Sequence, residues 1–242
     1  MPHGLPDYGL DAAKETVYGL ADLGELAARQ KSIVTFDRRG DIIWLDDFES
    51  SLNKWEDRGV DLGHDAAISN AYARNGAFSC KLTCGRDGDF EGIIHTYKPP
   101  PVLSKVGLEV HWTRPGTSFI SIYFRLEITH GAKSWDARIR FLSATATLQY
   151  WDGAVFRDIE AGVGVRANHL LFSPLKFVID LDGDVYSRLI LHHRSWDLSS
   201  YAVPTGGGGA LRDTRISILA VGATGVNTPL YIDDVILTQN EP

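Results

Sequence analysis

From residue 32 onward, apolar and polar positions alternate with a period of two. In "SFISIYFRLEI", Ile120, Ile122, Phe124, Leu126 and Ile128 share one side, and Ser121, Tyr123, Arg125 and Glu127 share the other. In "DARIRF", Ala137, Ile139 and Phe141 oppose Arg138 and Arg140. In "LKFVIDL", Leu175, Phe177, Ile179 and Leu181 oppose Lys176, Val178 and Asp180. Segments of this kind recur at spacings of about 8–12 residues, from "AAIS" and "GAFSCKLT" to the closing "LYIDDVIL". The dipeptides "NG" at 75–76 and "DG" at 152–153, with "DGD" at 87–89 and 182–184, punctuate them as turns. One apolar and one polar face on each of a dozen strands predicts an all-β fold, an antiparallel two-sheet, jelly-roll-like β-sandwich.

The alternation fails over residues 1–31. There "DAAKETVYGLADLGELAARQ" has helical composition, with Asp22 and Glu25 in a capping pattern and with Gly19 and Gly24 dividing it into two short helices. The predicted organisation is therefore an N-terminal helical arm, 1–31, and a sandwich domain, 32–242. The sandwich opens with a hairpin over 32–45, in which Asp37–Gly40 forms the turn and Gly40 takes the positive φ. The arm's apolar residues Leu10, Val17, Leu20, Leu23 and Leu26 gain little in isolated helices this short. Against a partner subunit each would contribute on the order of 1–2 kcal/mol.

Composition narrows the partners. The 242 residues carry a net charge of −7 and no cluster of Lys and Arg, which argues against nucleic acid. No apolar run approaches the roughly 18 residues of a membrane span, and "MPHGLPDYGL" lacks the pattern of a secretory signal. Cys80 and Cys84 would share a strand face about 13 Å apart, too far for a disulfide, and are expected as buried free thiols.

Catalytic patterns are mostly missing. There is no G-x-S-x-G elbow, and "GGGGALRDT" at 206–214 lacks the Lys-Ser/Thr pair of a phosphate loop and reads as a surface loop. No strand carries carboxylates on alternate positions as glycosidases of this architecture do; Glu127 stands beside Arg125 and reads as an ion-paired outer-face residue. Asp180, Asp182 and Asp184 alternate as in a calcium loop, but both flanks read as strands and a hairpin turn is expected. The histidines, including adjacent His192 and His193, are too scattered to hold a metal. Exposed aromatics offer another chemistry: Trp112, Tyr123 and Trp151 are candidates for stacking on sugar rings or contacting a partner.

Three stretches together resemble jelly-roll carbohydrate-binding modules of the concanavalin-like class: "LDDFES-SLNKW" (45–55), "ISNAYARNGAFSCKLT" (68–83) and "LYIDDVILTQ" (230–239). The resemblance implies a structural calcium between the first and last strands, held by Asp47, Glu49 and Asp234 (or Asp233) with backbone carbonyls. By parity Asp234 lies with Leu230 and Ile232 on the core side, and Asp233 lies on the solvated side. The arm-before-sandwich layout resembles phage virion proteins, among them capsid-decorating ones. It implies a non-enzymatic virion component that docks through the arm on capsid or other virion subunits, as a homo-oligomer, located in the virion. A glycan-binding, lectin-like module is the alternative, and a divergent hydrolase is the third reading.

Overall fold

A computed structural model describes residues 37, 39–59, 63–84, 91–114, 119–209, 212–223 and 225–242. The arm, with Leu10, Val17, Leu20, Leu23 and Leu26, lies outside the described residues, as does residues 32–36 of the expected hairpin. The described chain contains no helix and forms two antiparallel sheets.

The first sheet has the order β13-β12-β11-β6-β16-β4-β3. These strands are Arg194–Asp197, Val185–Leu191, Asn168–Asp180, Lys105–Arg114, Pro229–Gln239, Ser79–Thr83 and Asp65–Ser69 respectively. Strand β1 (Asp41–Asp46) pairs with the second half of β16, whose first half pairs with β4. The second sheet has the order β10-β9-β8-β7-β15-β5-β2. These are Phe156–Glu160, Thr147–Trp151, Lys133–Leu142, Phe119–His130, Asp213–Gly222, Glu91–Lys98 and Glu56–Asp57. A short β14 (Thr205–Gly207) pairs with β8.

The alternation decides which face is inside. Ile122, Phe124, Leu126 and Ile128 of β7 meet Ala137, Ile139 and Phe141 of β8 in the core. Against them pack Val106, Leu108, Val110 and Trp112 of β6 and Leu175, Phe177 and Ile179 of β11. Ile120, assigned by parity to the apolar set, is 38% exposed, beyond the covered part of β7. Gly40 has φ +81°, Gly76 φ +66° and Gly153 φ +100°, as their turns require. Cys80 and Cys84 are buried and free, and burial pushes the Cys84 thiol up to about 12.

Three details differ from the sequence reading. Trp112 is not a surface aromatic: it is fully buried, its ring 5.3 Å from Phe141 and 5.9 Å from Phe124, and so joins the two sheets. The glycine run is not all loop, because Thr205–Gly207 adds a strand to β8 and Gly208 N–H donates to Ala132 O at 2.7 Å. The aspartate pair does not alternate across its strand. The β16 register shifts between Asp233 and Ile236, and Asp234 has φ +46°. The extra residue resets the parity, so that Leu230 and Ile232 before it and Val235 and Leu237 after it all belong to the core. Both aspartates are thereby turned to the loop at 74–75, and both are fully buried.

Candidate functional site

The carboxylates around β16 make the first candidate. Asp233 Oδ2 accepts the backbone N–H of Arg74 at 2.8 Å and of Asn75 at 3.4 Å, and Oδ1 accepts that of Asp234 at 2.9 Å. The Asp234 carboxylate is ion-paired with the Arg74 guanidinium through Oδ2, while Oδ1 has no hydrogen-bond partner. Glu49 Oε1 accepts the N–H groups of Ala77 and Phe78, both at 2.8 Å, and so caps the loop that carries Arg74. Asp47 Oδ1 accepts the N–H of Glu49 at 3.3 Å. Asp47 and Glu49 are close enough to repel Asp234; after burial they help raise its pKa against the pull of Arg74.

Asp47 and Glu49, the residues that the resemblance groups with Asp234 around a calcium, lie near enough to Asp234 to act on its charge. One oxygen of each accepts N–H groups, and Arg74 supplies the positive charge at Asp234. No group of three or more His, Cys, Asp or Glu side chains among the described residues is arranged to hold a metal. Asp46 was not singled out in the sequence. It is fully buried and accepts Trp55 Nε1 at 2.7 Å and Lys54 Nζ at 2.8 Å, fixing the tryptophan of the "FES-SLNKW" stretch.

The second candidate is the outer face of the second sheet, where cross-strand register lines up polar and aromatic side chains in rows. One row places Tyr123 opposite Arg140, Arg140 opposite Gln149, and Gln149 opposite Asp158. The next places Arg125 opposite Arg138 and Ser217, and Ser217 opposite His95. A third places Glu127 opposite Asp136 and Arg215, and Arg215 opposite Tyr97. On edge strand β10, Phe156 is the partner of Trp151.

The rings form a connected set. Phe156 lies 5.1 Å from Trp151 and 5.3 Å from Tyr123, centroid to centroid. The Arg140 guanidinium lies 4.0 Å above the Phe156 ring and 5.5 Å from that of Tyr123, and Arg138 lies 4.8 Å above Trp151. Arg140 Nε donates to Gln149 Oε1 at 2.6 Å, and Gln149 Nε2 donates to Asp158 Oδ1 at 2.6 Å. From the core side, the Tyr186 hydroxyl accepts the Arg138 N–H at 3.0 Å and donates to Trp151 O at 3.1 Å. It thereby ties the backbone beneath the rings where β8–β9 pairing has ended.

The carboxylates on this face are occupied. Asp136 receives Arg125 at 2.7 and 3.0 Å and both branches of Arg138; Glu127 receives Arg125 at 3.0 Å and also Arg215. Burial would raise Asp136, but Arg138 and Arg125 outweigh it and hold its carboxyl below the ordinary range. A carboxylate held ionised this way is unsuited to protonate a leaving group. The sequence candidates Tyr123 and Trp151 therefore fall on one face and Trp112 does not. Arg140, Gln149 and Phe156 were missed, although alternation from Tyr123 and Trp151 marks Arg140 and Gln149 as outward.

No protein-family model matches the chain, and no curated protein matches it in sequence. Solved structures do match in fold. An endo-β-1,4-glucuronan lyase from Trichoderma reesei superposes with a TM-score of 0.56 at 10% identity, over 83% of this chain and 96% of that one. A cellulose induced protein gives 0.53 at 15% identity, over 81% and 96%. A Bacillus subtilis protein with a galectin-like fold gives 0.52 at 9% identity, over 84% and 97%. At these identities the likeness establishes the jelly-roll sandwich fold.

Proposed function

We propose that the chain is a non-catalytic carbohydrate-binding protein that holds a polysaccharide along the outer face of its second sheet. The observation that carries this reading is the ring set Tyr123, Phe156 and Trp151, interleaved with Arg140 and Gln149 on a rigid β face. The C–H faces of pyranose rings pack on aromatic rings, and planar amide and guanidinium groups meet pairs of hydroxyls with little loss of side-chain freedom. The test is calorimetric titration of the intact chain against a panel of plant and microbial polysaccharides. Binding to at least one, weakened roughly tenfold or more by Trp151→Ala, supports the reading. Absence of binding across the panel, with and without calcium, overturns it.

A second reading, a virion accessory or capsid-decorating component, is favoured by one observation. Strand β1, which begins at Asp41, about ten residues along the chain from the expected arm, exposes Ile42, Ile43 and Leu45. On this reading the arm residues and β1 bury together against another virion subunit, and the glycan face projects outward. Deleting residues 1–31 would then abolish co-assembly while leaving the sandwich folded; co-assembly that survives the deletion removes the idea.

A further inference from the structure

Along β7, β8 and β15 the outer face of the second sheet carries the guanidinium groups of Arg125, Arg138, Arg140 and Arg215, and they are not equivalent. Arg125 and Arg138 share Asp136, Arg125 also reaches Glu127, and Arg215 is paired with Glu127. Arg140 has neutral partners instead: Nε donates to Gln149 Oε1, and Nη1 lies 3.4 Å from the Tyr123 hydroxyl. No carboxylate of the described residues pairs with it, although the chain as a whole carries a net charge of −7. Asp158, the acidic side chain of the same row, is taken up by Gln149 Nε2 at 2.6 Å. Arg140 is half-buried and its guanidinium carbon lies 4.0 Å from the centre of the Phe156 ring, so the group is held between Phe156, Gln149 and Tyr123. With Nε committed to Gln149 and one N–H of Nη1 to the Tyr123 hydroxyl, the two terminal nitrogens still keep N–H donors that no described group takes.

A fixed guanidinium edge flanked by aromatic rings complements a planar anion set beside a sugar ring. A carboxylate can take two parallel N–H bonds from it, while the ring carbons of the same residue pack on Tyr123 or Phe156. We propose that the ligand is an acidic polysaccharide, and that Arg140 receives the carboxylate of a uronic acid residue between Tyr123 and Trp151. This rests on the reading of the same face as a glycan platform. It adds a class of sugar and a residue that selects it. Gln149 acts as a positioning residue: it holds Arg140 Nε on one side and is itself held by Asp158 on the other.

The test titrates the intact chain with polygalacturonate, alginate, dextran sulfate, and neutral xylan and β-glucan, at low and at physiological salt. Uronate polymers are expected to bind at least tenfold more tightly than the neutral ones. Arg140→Gln is expected to weaken uronate binding roughly 10- to 100-fold and to weaken neutral binding markedly less, since the rings and Gln149 remain. Arg140→Lys, which keeps the charge but not the fork, should recover only part of it. Thermal melts of both variants establish that they are folded. Equal affinity for neutral and uronate polymers, or uronate binding indifferent to Arg140→Gln, overturns the assignment and leaves the glycan platform standing. Preference for dextran sulfate over both uronates overturns the carboxylate assignment too, since it marks a general polyanion surface. No binding to any polymer removes both the assignment and the platform.

Discussion

Asp233 and His111 face each other across β16 and β6, and each is displaced from its ordinary titration range in the opposite sense. Burial, and next the Asp234 carboxylate, push Asp233 from 3.8 up to about 7, against the N–H groups it accepts. Burial, and next the Arg74 charge, push His111 from 6.5 down to about 3. A raised acid stabilises the fold below its unfolded value, and that contribution is lost as pH rises through about 7. A depressed base stabilises it above 6.5, and that contribution is lost as pH falls towards about 3. Between about pH 4 and 6.5 the two slopes oppose, each at most about 1.4 kcal/mol per pH unit. On acidification from pH 7 to 4.5, Asp233→Asn should therefore lose stability relative to the wild type, and His111→Gln should gain. Melting temperatures at the two pH values check this, and shifts of the same sign in both variants refute it. The neighbouring Arg74–Asp234 pair gives a related expectation. Arg74→Ala leaves a buried carboxylate without its cation and should cost on the order of 2 kcal/mol or more. Adding Asp234→Asn should restore part of that loss in denaturant titrations. Trp112→Ala, by contrast, empties a core site and should cost about 3–5 kcal/mol, whatever ligand the protein binds.

At the scale of elements, the bulge in β16 and the addition of β14 do most to shape the two faces. β14 widens the second sheet along β8, and its exit depends on a residue without a side chain. A Cβ at Gly208 would lie 2.2 Å from Gly131 O in the β7–β8 turn and 2.6 Å from Lys133 N at the start of β8, both backbone atoms. Gly208→Ala should release β14 and lower stability by at least about 1 kcal/mol, with faster amide exchange at Thr205–Gly207 and in the paired Lys133–Trp135 segment. Unchanged exchange there would show that β14 does not depend on this approach. Much of the element scale is legible in the sequence. The long strands β7, β8 and β11 follow from alternation, because a period of two with one buried face admits one register. The bulge is not legible, because "IDDV" keeps the pattern of a regular strand and only pairing with β6 and β4 imposes the positive φ at Asp234. β13 and β14 are short edge additions whose pairing lies with a partner strand rather than in their own composition.

For the sandwich as a whole, the outer faces of the two sheets have different fates. On the first sheet, Lys176 is fully buried between strands and bonded to Glu241 at 2.7 Å, with Arg188 on the same carboxylate. Lys176 Nζ also donates to Arg39 O at 3.0 Å, so the residues entering β1 and those leaving β16 close together over this face. Glu241→Ala removes the nearer of the two carboxylates at Lys176, leaving Asp37 at 3.4 Å, and should cost on the order of 2–3 kcal/mol; combining it with Lys176→Met should recover much of that in unfolding measurements. The second sheet's outer face has no such cover among the described residues and keeps its half-buried aromatics and guanidinium groups. The sequence by itself determined the sandwich and the polar character of the strip through Tyr123, Arg125, Arg138 and Arg140, because alternation is a local property of the chain. Only the tertiary structure decided that Trp112 is core, that Arg74 stands at Asp234, and that Phe156 and Gln149 fix Arg140. Each of these depends on which strand lies beside which, and pairing between residues tens of positions apart is set by the packing of the whole sandwich.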